Sequence, residues 1–293
     1  MMRVLAPGFQ TTVQDLGRYG YAHIGVSASG AADAPALRAA NRLVGNRDGA
    51  AALEMTLTGG SFEFQGDAVA ALAGSDFAAN FPLWTPFAVR AGEVLRCGAT
   101  QSGARCYLAV RGGFDVPLVM GSASTHLMTG LGGFQGRALK KGDVLAFGDA
   151  AVRPPARRKA GPPPPADALR ATPGPQAGWF SDDLYRAEYQ VTEESNRMGL
   201  RLRGPALERH AGHMLTEGVP LGAVQVPPEG QPIILFVEHQ TTGGYPKIAN
   251  VIAADCGAVG QLRPRDAVRF ERVSFETARA LLRAREEWLD SLV

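Results

Sequence analysis

The densest concentration of chemistry in this 293-residue chain is the octapeptide Gln240-Thr-Thr-Gly-Gly-Tyr-Pro-Lys247. It places an amide, two hydroxyls, two glycines, a phenol and a cation directly after the apolar run Ile233 to Val237. Loops at strand ends are where a rigid scaffold presents groups to a ligand, and bare backbone N–H groups beside a lysine suit an anion or a polarised carbonyl oxygen. In the same half, Ser195-Asn-Arg-Met-Gly199 supplies Arg197, and the stretch from Glu217 to Gln225 supplies an acid and an amide. An acid, a lysine and an arginine converging with Gln and Thr would bind a small planar amide and polarise its carbonyl. Lys247, Glu217 and Arg197 are therefore the candidate catalytic residues. Gln240, Thr241, Thr242, Gly243, Gly244, Tyr245 and Gln225 are the candidate substrate ligands. The competing interpretation is a two-glycine hairpin with Tyr245 packed outward.

A second polar, glycine-rich region runs through Gly121-Ser-Ala-Ser-Thr-His126 and Gly130-Leu-Gly-Gly-Phe-Gln-Gly-Arg137. Ser124 and Thr125 offer hydroxyls to a substrate, and Arg137 has the planar fork that pairs bidentately with carboxylate or phosphate. A third comprises Thr12-Val-Gln-Asp-Leu-Gly-Arg18 and Gly25 to Asp33, where Asp33 also reads as a helix cap. His210 and His213 lie three apart with no acidic or thiol partner at ligand spacing, so no metal site is expected. The phosphate-loop, zinc-protease, nucleophile-elbow and dinucleotide-binding signatures are all missing.

Period-2 patterns dominate the elements that must hold these groups. Residues 61–65, 93–97, 105–110, 143–147, 200–203 and 267–270 read as strands with one buried face, and a further strand is expected at 188–192. Gly-Asp and Gly-Glu pairs punctuate them at the short spacing of a barrel or sandwich. Two helices are expected. One starts at the Asp33 cap with Pro35 in its first turn and ends at Gly45-Asn46. The other starts at Ser274 and buries a stripe of Phe275, Ala278, Leu281, Leu282, Trp288 and Leu289. A short turn is expected from Ser181 to Leu184. The basic, proline-rich segment 153–168 reads as a linker that neither helix nor sheet can absorb, dividing the chain into β-rich domains at 1–152 and 169–293.

Composition narrows the function further. Thirty Lys+Arg against 28 Asp+Glu leave a net charge of +2, too small for a protein that binds nucleic acid by neutralising phosphates. No apolar run reaches membrane-spanning length and no secretory leader is evident, which points to the cytoplasm and away from membranes. Three scattered cysteines fit reduced, buried thiols.

Taken in order, Pro7-Gly8, Gln14-Asp-Leu-Gly-Arg18, Gly25-Val-Ser-Ala-Ser-Gly-Ala-Ala-Asp33, Arg38 to Gly45, Gly132 to Leu139, Arg197-Met-Gly199, Gln225-Val-Pro-Pro228 and Gln240 to Ile248 form a series. That series resembles the biotin-dependent carboxyltransferase family, also called allophanate hydrolase subunit 2, which includes the 5-oxoprolinase C subunit and the KipA-like proteins. The resemblance covers nearly the whole chain. It departs at Ala32, Ala123 and Met128, where the family more often has a methionine and two arginines.

The resemblance implies a mainly β chain of two cyclophilin-like β-barrel subdomains, with a few short helices and a C-terminal helix. It implies two protein partners, a KipI-like B subunit and a LamB/YcsF-like A subunit. The reaction implied is ATP-dependent opening of 5-oxo-L-proline to L-glutamate by the assembly, with this chain inactive alone and the ATP site unlocated. Two alternatives remain open: a carboxyltransferase component acting on urea or a related small amide, and a KipA-like regulator that binds a kinase inhibitor. No biotinyl-lysine motif is present, so no biotin is expected on this chain.

Overall fold

The computed structural model describes residues 1–149, 161–163, 167–210 and 212–292. Most of the expected linker, residues 153–160 and 164–166, lies outside the described residues. The chain is mostly β, and its residues group into two compact units. The first holds residues 1–18, 29–163 and 287–293; the second holds 19–28 and 164–286, as far as these are described. Residues 19–28 and 287–293 thus fall in the opposite unit from the one their sequence position gave them, because strand periodicity does not reveal which core a connecting segment joins.

The first unit begins with β1 (Met2–Ala6), β2 (Gln10–Gln14), the helix α1 (Ala34–Leu43), β3 (Ala52–Thr56), β4 (Ser61–Phe64) and β5 (Ala68–Gly74). It continues with β6 (Pro86–Val89), β7 (Val94–Arg96), β8 (Arg105–Val110), β9 (Phe114–Asp115) and β10 (Val144–Phe147). These strands make two five-stranded sheets, ordered β7-β4-β1-β10-β9 and β2-β3-β8-β5-β6. Both contribute to one core, with Met2, Val4, Phe62, Phe64 and Leu145 from the first sheet and Leu53, Met55, Leu72, Leu108 and Val110 from the second.

The other face of the second sheet is paved with Ala52, Ala71, Ala73 and Ala109, against which α1 sets Ala36, Leu37, Ala39, Ala40 and Leu43. Small side chains on both surfaces allow helix and sheet to approach closely at native packing density. Asp33 caps α1 as its sequence suggests, accepting from the Ala36 amide at 3.1 Å.

The second unit contains β11 (Leu169–Pro173), β12 (Glu188–Val191), β13 (Gly199–Arg203), β14 (Glu217–Gly218) and β15 (Ala223–Gln225). It then adds β16 (Ile233–Leu235), β17 (Thr242–Gly243), β18 (Lys247–Val251), the helix α2 (Cys256–Gln261), β19 (Ala267–Arg272) and most of the helix α3 (Phe275–Asp290), whose residues from Glu287 onward group with the first unit. Seven strands close a barrel in the order β11-β18-β15-β16-β13-β12-β19, with β11 and β19 paired in parallel. Alternate residues such as Tyr189 and Val191, Leu200 and Leu202, and Val268 and Phe270 are buried while most of their neighbours in the strands are exposed.

One helix expectation needs correction. Ser274 does cap α3, accepting from the Thr277 amide at 3.2 Å, but Phe275 and Leu282 are exposed rather than part of a buried stripe. Ala278 and Leu281 pack on Ile252, Ala254 and Val273 instead, and Leu289 is buried in the first unit beside Trp288. A helix whose residues join two separate clusters needs no continuous apolar stripe.

Candidate active site

The octapeptide from Gln240 to Lys247 is held by two ladders. Within it, Thr242 and Gly243 form β17, which pairs with β14 so that Gly243 lies opposite Glu217. Lys247 opens β18, which pairs with β15 so that Lys247 lies opposite Gln225, next to an irregularity between Val224 and Gln225. The ladders bring Glu217, Gly243, Gln225 and Lys247 together at one end of the barrel.

Gly243 is crowded there by the ends of neighbouring side chains. A Cβ at this position would lie 2.7 Å from Gln225 Nε2 and 3.2 Å from Val219 Cγ1. Gly244 is different: among the described residues outside its chain neighbours, a Cβ there would meet only Thr216 Oγ1 within 4 Å, at 3.6 Å, so the chain there leaves space a ligand can use.

Lys247 is buried, and its ammonium pairs with the Glu217 carboxylate, whose side chain is 45% exposed. The pair is therefore open to solvent on the glutamate side. Gln176, which stands just before the turn at Ala177–Trp179, completes it. Its Nε2 donates to Glu217 Oε1 at 3.1 Å, and its Oε1 accepts from the Lys247 backbone N–H at 3.0 Å. The hydrogen bonds from Lys247 and then from Gln176 hold the Glu217 carboxyl below its ordinary pKa. Nearby, Gln240 Nε2 donates to Gln225 Oε1 at 3.2 Å, and Gln225 Nε2 donates to the Tyr245 carbonyl at 3.4 Å. Thr242 and Tyr245 are exposed, and Thr241 and Gln240 are half-buried.

Arg197 occupies a different contact. Its Nε donates to Glu238 Oε1 at 2.5 Å, the Glu238 amide donates to the Arg197 carbonyl at 2.8 Å, and both side chains are buried. It braces the strand end that leads into Gln240. A cavity of about 590 Å³ borders the octapeptide, lined by Gly244, Tyr245 and Pro246 together with Leu207, His213 and Met214. Lys247, Glu217 and Gln225 stand outside that lining. His210 and His213 are exposed, and no cluster of three metal-ligating side chains occurs among the described residues.

The second polar region lies in the first unit, and its hydroxyls serve the loop itself. Ser122 Oγ and Ser124 Oγ donate to Asp15 Oδ1 at 2.7 and 2.5 Å, and the Ala123 amide donates to Asp15 Oδ2 at 2.6 Å. Thr125 Oγ1 donates to the Val13 carbonyl at 2.8 Å, and Arg18 donates to the Ser124 carbonyl. Gly132 fits beneath this loop only because it lacks a side chain: its Cβ would lie 2.2 Å from the Ser124 carbonyl oxygen, and its φ is +65°. Arg137 forms a bidentate pair with Asp143 at 2.7 and 2.9 Å. Ser124, Thr125 and Arg137, expected as ligands, are thus engaged with internal partners. What the sequence lacked was their acceptors: Asp15 is more than a hundred residues from Ser124, beyond any local pattern.

This geometry can be set against known proteins. Residues 24–272 match the profile described as "Carboxyltransferase domain, subdomain A and B". The chain belongs to that carboxyltransferase-domain family. Among its members, it is 42% identical over 297 residues to the 5-oxoprolinase C subunit of Escherichia coli (strain K12), covering 98% of this chain and 95% of that relative. It is 39% identical over 305 residues to the 5-oxoprolinase C subunit of Haemophilus influenzae, covering 100% of this chain and 97% of that one. The solved urea amidolyase of K. lactis superposes with a TM-score of 0.92 at 32% identity, over 100% of this chain. This carboxyltransferase-domain chain spans only 20% of that much longer protein. Relatives in the family are thus components of enzymes, and two of them carry the name of a subunit.

Gln176 and Glu238 are the site residues that the sequence did not reveal. Gln176 sits alone after Gly174-Pro175, and Glu238 follows a buried apolar run, so neither belongs to a motif. A buried carboxylate needs a cation, and that requirement was the one available pointer from Glu238 to Arg197.

Proposed function

We propose that this chain is the C subunit of an ATP-dependent 5-oxoprolinase assembly that converts 5-oxo-L-proline to L-glutamate, and that it is inactive alone. The observation carrying this reading is length: the match to the 5-oxoprolinase C subunit runs end to end on both chains, whereas the match to urea amidolyase covers a fifth of it. In this reading Lys247 faces the lactam carbonyl oxygen as it gains negative charge, and Glu217 accepts a hydrogen bond from the substrate. Gln240, Thr241, Thr242, Gln225 and Tyr245 shape the approach beside Gly243, with Gly244 leaving the backbone accessible. The partners are a KipI-like B subunit and a LamB/YcsF-like A subunit, in the cytoplasm; no described helix is long and apolar enough to cross a membrane.

ATP belongs to the assembly as co-substrate. The glycine turn of the first unit is a poor triphosphate cradle, because Gly136 N–H donates to the Gly132 carbonyl at 2.9 Å and Arg137 is held by Asp143. No step is assigned to ATP on these residues.

The test is to co-express the chain with the two candidate partner polypeptides and to measure glutamate formed from 5-oxo-L-proline with ATP. Activity that requires all three polypeptides supports the proposal, and turnover by this chain alone refutes it. The second reading, carboxyl transfer to urea or a related amide, is favoured by the 0.92 TM-score to urea amidolyase. Urea-dependent consumption of carboxybiotin, with no glutamate from 5-oxo-L-proline, would select it.

A further inference from the structure

We propose that Gln176 is the positioning residue of the Lys247–Glu217 pair, fixing which glutamate oxygen is left open to the substrate. This rests on the reading of that pair as the catalytic centre.

The amide has no choice of orientation. The Lys247 backbone N–H needs an acceptor, so Gln176 Oε1 faces it and Nε2 is turned onto Glu217 Oε1. The mount is rigid. The Gln176 N–H donates to the Lys247 carbonyl at 3.1 Å, and the Gly174 N–H donates to the Ile248 carbonyl at 2.9 Å. Gly174 lies so close to β18 that a Cβ would be 2.3 Å from the Lys247 carbonyl oxygen. Gln176 itself is 9% exposed.

Glu217 is held differently. It sits on a two-residue strand with its side chain nearly half exposed, so its carboxylate is oriented by the donors that reach it. Both donors converge on Oε1. Oε2 accepts no hydrogen bond from the described residues, and Lys247 is the charged group in contact with the carboxylate. Two donors on one oxygen, one of them immobile, leave the other oxygen as the acceptor for a substrate N–H or O–H. The same donors keep the carboxylate ionised.

Two isosteric variants of the full chain, Gln176→Met and Gln176→Glu, test this, with Glu217→Gln used to assign the carboxyl signal. Carbon-13 NMR of Glu217 should show its titration midpoint moving upward in Gln176→Met and further upward in Gln176→Glu, where a second carboxylate replaces the donor. In the co-expressed assembly, Gln176→Met should lower kcat about tenfold with little change in KM, the loss expected for one hydrogen bond to a charged group. For Gln176→Glu the acid limb of the rate profile should shift to higher pH.

One measurement needs no folded variant at residue 176. In the wild-type chain the Gln176 side-chain amide protons should titrate with the Glu217 midpoint and should stop doing so in Glu217→Gln. An unmoved midpoint in Gln176→Met, or side-chain protons indifferent to Glu217, overturns the positioning role. A moved midpoint with unchanged turnover upholds it and overturns the catalytic reading of the pair.

Discussion

Arg197→Met removes the cation from a carboxylate that has little water to replace it. Glu238 is 6% exposed and Arg197 8%, with Nε and Oε1 at 2.5 Å. At an effective dielectric of about 20, opposite charges ~4 Å apart attract by roughly 4 kcal/mol. Breaking a buried pair by removing one partner costs about 3–5 kcal/mol, because the other charge stays buried. The same range is expected for the second unit here. Urea unfolding followed by tryptophan fluorescence can isolate it: Trp179 belongs to that unit, while Trp84 and Trp288 belong to the first and can be replaced by phenylalanine. The double variant Arg197→Met/Glu238→Leu should recover most of the loss, since an apolar pair of similar volume needs no compensating charge. If it also recovers turnover in the assembly, Arg197 braces the strand end and takes no part in the chemistry. A single-variant loss below about 1 kcal/mol, or a double variant as unstable as the single, refutes the ion-pair reasoning.

Lys247→Ala should lower turnover of the assembly by roughly 10²- to 10³-fold, by analogy with removal of one oxyanion donor, while co-purification with the partner polypeptides persists; full activity would return the octapeptide to a structural hairpin. Asp15→Ala strips the acceptor from Ser122, Ser124 and the Ala123 amide and should destabilise the first unit by about 3 kcal/mol in chemical denaturation. Asp143 is held below its ordinary pKa, chiefly by the hydrogen bond from Arg137. Its folded pKa is depressed, so the stabilisation is complete above the unfolded carboxylate pKa of about 4 and is lost as pH falls through the lower folded value. The Lys140 amide, which donates to Asp143 Oδ2 at 2.7 Å, should report that low midpoint by NMR, and a midpoint at or above the ordinary value would contradict it.

Strands with one wet face were legible in the sequence. Ser61–Phe64 and Val144–Phe147 emerge within a residue of their expected bounds, and α1 begins where Asp33 and Pro35 say it should. Strands buried on both faces were not legible as such: β8 was expected at Arg105–Val110 with one buried face, yet five of its six residues are buried, and β2 and β3 were missed. All five residues of β3 are buried, and β2 buries Thr11, Thr12 and Gln14, so neither alternates in polarity. The α2 helix escaped because Gly257 and Gly260 give it poor intrinsic propensity. At the candidate site, Lys247, Glu217 and Gln225 were readable as chemistry concentrated at strand ends, and the structure does bring them together. The partners that orient them were not, because a hydrogen bond between Gln176 and Glu217 links residues 41 apart and leaves no periodic trace. Hydroxyls were misleading for the same reason, since a serine that holds a distant aspartate is written like one that waits for a ligand.

In both units the opening strand is paired with the closing one. Arg3 lies opposite Val144 on β10, and Leu169 lies opposite Phe270 on β19. During synthesis β1 can pair with β4 as soon as Phe64 has emerged, yet its other edge stays bare until Leu145 follows. At translation rates of about 5–20 residues per second, that interval lasts from ~4 to ~16 seconds. An uncovered apolar strand edge is a template for association with another nascent chain. The ribosome-bound protein therefore passes through a vulnerable window that the finished one has left behind, and slowing elongation between codons 64 and 145 should raise its demand for chaperones.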